Sequence, residues 1–179
     1  MISPLFKISP RAFMVFNFLS FQCAWFAAIT LQQQGVLILI AILVSHFLVS
    51  RYRIRDWYTL IIITCIGSVI DLISAYAGIF VFNQESFLPL WLLLLWANFA
   101  LTFHYSMSWL MRCPLLIQSM LGGFFGTLSY FSAYKLGAVN YNFDTWVTLL
   151  ILALIWTLIL PVYVFIASIL KEKVYVRET

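Results

Sequence analysis

Six apolar stretches run through this chain, separated by breaks too short to fold on their own, and that pattern decides most of what it can become. A helix needs about 20 largely apolar residues to cross the hydrocarbon of a bilayer. The stretches run from Ala12 to Leu31, Gly35 to Ser50, Trp57 to Phe82, Leu88 to Met111, Leu115 to Tyr134 and Thr145 to Leu170. The second is the shortest and needs part of Gln32, Gln33 and Gln34 to complete it; with Gly35 these read as the tight turn of a helical hairpin. Unbroken apolar runs, rather than ~10-residue segments of alternating polarity, exclude an outer-membrane barrel. The expected fold is an all-α integral membrane protein, a six-transmembrane-helix bundle forming one membrane domain over residues 1–179.

Composition agrees. Hydrophobic residues make up 64% and charged residues 9% of the chain, whereas soluble domains carry roughly 25% charge and disordered chains are polar and poor in aromatics. The basic residues suggest an orientation. With six spans, one side holds Lys7, Arg11, Arg51, Arg53, Arg55, Arg112, Lys171, Lys173 and Arg177, and the other holds Lys135 alone. Positive charge gathers on the cytoplasmic side, so both termini are expected there, with 83–87 and 135–144 outside. The first apolar run is long and no convincing small-residue cleavage site follows, so it reads as a retained span. The net charge of +4 sits at helix ends facing anionic headgroups. Nucleic-acid binding needs a basic stripe on a soluble surface, so none is expected. Cys23, Cys65 and Cys113, with two histidines, match neither a disulfide framework nor a zinc pattern. No metal and no cofactor are expected.

Polar residues inside the apolar stretches are the candidate functional groups, because they are costly in lipid. Asp71 lies deep in the third stretch, on a stripe of Thr64, Gly67, Ser68, Ser74, Ala75 and Gly78 at helical spacing. At ~1.5 Å per residue, Asp71, Asn98 and Tyr130 fall at similar depth, roughly 20–24 Å from the inner ends of their helices. With Thr102 they form a candidate ligand or proton pocket. Lys135 either reaches toward them or snorkels outward. Nearer the cytoplasm, Asn17, His46, His104 and Gln118 form a second candidate polar cluster, a proton relay or a headgroup site. In the fourth stretch Asn98, Thr102, Tyr105 and Trp109 share a helical face; Trp91 and Trp109 read as interfacial belt residues, and Trp96 sits deeper. Gly67, Gly122 and Gly126 are helix-packing candidates, and the Gly122/Gly126 face is also a candidate seam for a homo-oligomer. Pro161 is expected to kink the sixth helix. A three-plus-three repeat finds no matching polar positions. No nucleophile elbow, HExxH, Walker or dinucleotide motif is present.

Taken together, PLWLLLLWANFALTFHYSMSWL and LGGFFGTLSYFSAYKLGAV resemble an uncharacterised family of small bacterial inner-membrane proteins defined by a domain of unknown function. The resemblance covers nearly the whole chain. Its most specific residues are Trp91, Trp96, Phe99, Thr102, Ser106, Trp109 and the Gly126–Gly137 segment; Thr127 stands where GPLSY-type members have proline. It implies a bacterial inner-membrane location and no established activity, and the gene neighbourhood it implies, near fatty-acid-modifying methyltransferases, points toward membrane-lipid chemistry. The leading expectation is a protein that binds a lipid or apolar small molecule, or is accessory to membrane-lipid modification. The alternatives are a small proton-coupled transporter using Asp71 and an intramembrane lipid-modifying enzyme using Asp71 or His104. A transporter should show a polar path from side to side. A lipid binder or lipid enzyme should show a cavity open sideways between helices.

Overall fold

The computed structural model describes residues 9–82 and 88–178, with side chains described up to Glu172. Lys7, the connection Asn83–Phe87 and the side chains of Lys173 and Arg177 lie outside them. The chain is predominantly helical: α1 Pro10–Leu31, α2 Val36–Val49, α3 Arg53–Tyr76, α4 Leu90–Ala100, α5 Leu115–Leu121, α6 Thr127–Lys135 and α7 Thr145–Glu178. Two short strands join them, β1 Phe80–Phe82 and β2 Val139–Tyr141. Three helical runs are long and apolar enough to cross a membrane, Pro10–Val49, Arg53–Tyr76 and Thr145–Glu172, and α4 is a shorter apolar helix. Leu37, Ile73, Trp146 and Leu158 are among many large apolar side chains facing outward, an exposure that only lipid relieves. This is a helical membrane protein.

Local chemistry places the turns. Ser9 caps α1 by accepting the Ala12 N–H at 3.2 Å, with Pro10 in the first turn, where its missing N–H costs nothing. α1 ends at Gln32, whose φ of 48° turns the chain into the 3₁₀ turn Gln32–Gly35. The Phe13 ring then lies 5.3 Å from that of His46, so α1 and α2 run antiparallel.

Contacts sort the helix ends. The start of α1, the end of α2, the start of α3 and residues 104–108 meet around Tyr105. At the opposite end, β1 and β2 pair antiparallel, Phe80 with Tyr141 and Phe82 with Val139. Arg11, Arg51, Arg53 and Arg55 flank the first end, and Lys135 lies at the second beside the Phe131 and Tyr134 rings, away from Asp71.

The structure departs from the expected spans in three places. The third ends at Tyr76 rather than Phe82. Gly78, at φ 73°, terminates α3 with Gly78 N–H donating to Ala75 C=O and Ile79 N–H to Ser74 C=O, and β1 follows. This is a Schellman cap, which needs a left-handed residue. The fourth is not one helix: α4 stops at Ala100, residues 101–107 form irregular turns, and Ser108–Arg112 is 3₁₀. The break disperses the face expected for Asn98, Thr102, Tyr105 and Trp109. The fifth is interrupted by a π-helical turn at Gly122–Gly126. Trp91, expected at the interface, is buried against Phe82, while Trp109 is exposed.

A repeat also emerges, distinct from the three-plus-three scheme. Gly137, at φ 76°, caps α6 as Gly78 caps α3, with Gly137 N–H donating to Tyr134 C=O and Ala138 N–H to Ala133 C=O. Each capped helix leads to a strand of the β1–β2 pair and then to a helix carrying a central tryptophan, Trp96 or Trp156.

Candidate functional site

Between α1, α4, α6 and α7 lies a cavity of about 400 Å³. α1 packs on α2 and α4 but barely approaches α6, and this missing packing makes the space. Two polar contacts span the gap: Trp25 Nε1–H donates to Ser129 Oγ at 2.8 Å, and Gln32 Nε2–H donates to Gly137 C=O at 3.2 Å. Phe26, Phe125 and Leu128 line the cavity and are also exposed on the outer surface. The cavity is therefore a cleft facing sideways, toward where lipid lies.

Its inner wall is aromatic. Trp96 and Trp156 stack with ring centroids 5.7 Å apart and planes 10° from parallel, and Phe99 meets both edge-on. Glycines seat these rings. A Cβ at Gly67 would collide with the Trp96 indole, and one at Gly126 with the Trp156 indole. At Gly122 a Cβ would strike the Trp156 carbonyl oxygen. All three expected packing glycines therefore serve contacts inside the chain. The Gly122/Gly126 face, expected as a homo-oligomer seam, is filled by α7, because Trp156 occupies the space the glycines open.

Asp71 stands behind this wall, 2% exposed, and is absent from the cavity lining. Trp96 Nε1–H donates to its Oδ2 at 2.7 Å, and the Tyr130 hydroxyl donates to its Oδ1. Both donors belong to rings that line the cleft. The carboxyl thus fixes two wall residues, and they satisfy it in return. The expected pocket of Asp71, Asn98, Thr102 and Tyr130 comes apart otherwise. Asn98 Nδ2–H donates to Leu94 C=O at 2.9 Å and Leu39 C=O at 3.4 Å, tying α4 to α2. The Thr102 hydroxyl points to Phe99 C=O at 2.6 Å and Met107 Sδ at 3.0 Å. Helical depth brought Asp71, Asn98 and Tyr130 to one level, but side-chain direction sent Asn98, like Thr102, elsewhere.

The second expected group, Asn17, His46, His104 and Gln118, also divides. Asn17 and Gln118 are backbone clamps. Asn17 Nδ2–H donates to Leu101 C=O at 3.1 Å, and its Oδ1 accepts from Ser106 N–H at 3.2 Å and from the Ser106 hydroxyl at 2.6 Å. It supplies partners that the break after α4 takes from the helix, which backbone in lipid must find. Gln118 does the same for Leu110 and Cys113 C=O, at 3.1 and 2.9 Å.

The histidines lead to a residue that sequence reasoning missed. Asp56, which lies outside every expected span, is fully buried. Its Oδ1 accepts from Arg55 Nε and Nη2 at 3.3 and 3.1 Å, and its Oδ2 from Tyr105 OH at 2.6 Å, from the Ser50 hydroxyl and from His46 Nε2 at 3.2 Å. A buried carboxylate survives only with such pairing. The available signal was positional: Asp56 is the one acid among Arg51, Arg53 and Arg55, and His46 and Ser50 are one helical turn apart. His104 faces Thr59 instead, Nε2 to Oγ1 at 2.7 Å. Among the described residues no group of acids, histidines and cysteines is placed to hold a metal, and all three cysteines are free.

The family model for proteins of unknown function, DUF2878, matches residues 14–162. The chain belongs to this family. No curated protein and no solved structure matches it. The stretch matched to DUF2878 contains every residue lining the sideways cleft, together with Asp71 and Asp56. The cleft therefore lies within the family domain.

Proposed function

We propose that this chain crosses the bacterial inner membrane six times, with both termini cytoplasmic, and holds a lipid chain or similar apolar molecule in its lateral cleft, either as a binding protein or as an accessory to membrane-lipid modification. The observation that carries this reading is where the cavity lies: in the gap between α1 and α6, aromatic inside and bordered by outward-facing Phe26, Phe125 and Leu128. Small-molecule sites are commonly concave, mostly apolar and roughly 300–1,000 Å³, and the cleft is of that size. The sorted helix ends support six crossings, with α4 plus 101–112 as one and α5 through α6 as another. The arginines at one end and Lys135 at the other support the orientation.

The transporter and enzyme readings have less to rest on. Asp71 is enclosed by Trp96 and Tyr130 and does not line the cleft, and Asp56 is saturated by its neighbours. The test is to purify the chain in mild detergent and identify retained lipid by mass spectrometry, beside Ala133→Phe. Ala133 lines the cleft, and a phenyl ring there fills it. The expected result is bound lipid in the wild type and its loss in a folded variant. A wild type free of apolar ligand, or a variant that retains it equally, defeats the reading.

A further inference from the structure

The lateral cleft holds polar groups that the fold leaves unspent, and they share one character. Its lining contains no aspartate, glutamate, lysine, arginine or histidine. A charged headgroup inside it would meet no counter-charge, and an unpaired ion is costly in lipid. Several of the cleft's hydrogen donors are already committed: Trp25 to Ser129, Trp96 and Tyr130 to Asp71, and Ser132 to Leu128 C=O at 2.8 Å. Others keep their hydrogens.

Trp156 supplies the deciding detail. It lines the cleft and is 9% exposed, and its Nε1–H has no hydrogen-bond partner among the described residues, yet that atom is not among the unpartnered polar atoms enclosed by packing. An indole nitrogen donates and does not accept, so it calls for an acceptor. Ser129 stands one turn beyond Gly126, on which the Trp156 ring rests. Its oxygen accepts from Trp25, and its own hydroxyl hydrogen reaches no acceptor among the described residues. Gln22, one turn before Trp25 on α1, is exposed, lines the cleft and makes no side-chain hydrogen bond among the described residues. Counted along the helices, Gln22 lies ~18 Å from the start of α1 and Trp156 ~17 Å from the start of α7, at the opposite end. Both are near the middle of a hydrocarbon core ~30 Å thick. Trp91 offers a further unpartnered N–H nearer the β1–β2 end.

We propose, on the reading of the cleft as a lipid site, that its occupant is an uncharged lipid carrying a carbonyl oxygen into the middle of the bilayer. The oxygen accepts from Trp156 Nε1–H and the Ser129 hydroxyl, and Gln22 closes over it from α1. A carbonyl oxygen has two lone pairs and no hydrogen, which matches neighbouring donors. Ordinary phospholipid does not bring one there, because its ester carbonyls stay with the headgroup, outside the core. Two sources do: the ring of an isoprenoid quinone and a keto group within an acyl chain. Both present the same chemistry to these residues.

The test titrates the full-length chain in neutral detergent with dioctyl ketone, with heptadecane, which lacks only the carbonyl, and with decylubiquinone. Bound probe is quantified by mass spectrometry after gel filtration, and the amount held by Ala133→Phe, whose cleft is filled, is subtracted as micellar. At least one carbonyl probe is expected to bind about fivefold or more tighter than heptadecane, the worth of a hydrogen bond. Trp156→Phe removes the N–H and keeps an aromatic ring, and Gln22→Leu takes no hydrogen bond from the fold. Each is expected to weaken that probe about fivefold and to leave heptadecane unchanged. Trp109→Phe, exposed and outside the cleft, is expected to change neither. Tighter binding of decylubiquinone identifies a quinone as the source, and tighter binding of dioctyl ketone a keto chain. The proposal is overturned if neither carbonyl probe binds more tightly than heptadecane, or if folded Trp156→Phe holds both as wild type does; should that variant not fold, Gln22→Leu decides by the same comparison. Heptadecane binding equally well removes the carbonyl and leaves the cleft a lipid site, whereas no probe held beyond the Ala133→Phe level removes the cleft reading as well.

Discussion

The indole rings of Trp96 and Trp156 lie face to face, 5.7 Å between centroids, and each rests on a glycine of another helix, Gly67 beneath Trp96 and Gly126 beneath Trp156. Stacked rings at this separation attract beyond their buried area, and here they also form the floor of the cleft. The glycines lie at the same distance from the capping glycines that follow them, Gly67 to Gly78 and Gly126 to Gly137, both eleven residues.

Because a Cβ at Gly67 would overlap the Trp96 ring, Gly67→Ala is expected to destabilise the protein by about 1–3 kcal/mol through overpacking. The loss should shrink when Trp96 is also changed to Leu, since residues in direct contact are not additive. Melting temperature in detergent for both single variants and the double reads this out. Additive losses would mean that the glycine matters for some other reason.

Asp71 accepts from two donors that have no other hydrogen-bond partner among the described residues, so the two obvious substitutions should separate. Asp71→Asn keeps one acceptor oxygen and is expected to be mild, on the order of 1 kcal/mol. Asp71→Leu strands both the Trp96 N–H and the Tyr130 hydroxyl and is expected to cost about 2–5 kcal/mol in total. Both variants should reduce lipid retention in proportion to how far the two rings shift. A fully stable Leu variant would show that the pair finds other partners.

The Trp25–Ser129 hydrogen bond is a polar tie across the cleft mouth, as is Gln32 to Gly137. Trp25→Phe keeps an aromatic ring on the wall but loses the donor, at an expected cost of about 1 kcal/mol. Exchange of a spin-labelled lipid should speed up while Tm barely moves. Unchanged exchange would place the entry elsewhere.

Asn17 is expected to be among the most sensitive polar positions. Asn17→Ala leaves Leu101 C=O and Ser106 N–H without their partner in the broken segment, an expected loss of about 2–4 kcal/mol. Hydrogen exchange should rise first across residues 101–107. Uniform exchange throughout the helices would argue that the break is held by packing alone.

Orientation is checked by a single-cysteine label. Asn142 is exposed just after β2, and Asn142→Cys, in a chain whose native cysteines are replaced, should react with an impermeant maleimide from the periplasm. Reaction only after the membrane is opened would reverse the proposed topology.

What the sequence determined by itself is the solvent and the class of fold. Apolar runs such as Thr145–Leu170 must be helical in lipid because their backbone groups have no water to bond, and burial of Thr64, Gly67, Ser68, Asp71 and Ser74 followed from their spacing on one helix face. The turn at Gln32–Gly35 was legible for the same local reason. The site was legible only in part. Asp71 and Tyr130 could be brought to one depth by counting residues, but depth carries no information about direction, and Asn98 and Thr102 turned to backbone carbonyls. Tertiary structure alone decided the rest. Asp56 became a buried centre because His46 and Ser50 at the end of α2 and Tyr105 from the segment after α4 converge on it. The break after Ala100 exists with Asn17, 84 residues from Leu101, supplying the missing hydrogen bonds. The cleft exists because α1 packs on α2 and α4 and leaves α6 apart. An empty space between helices belongs to no residue, so it appears only when the helices have taken their places.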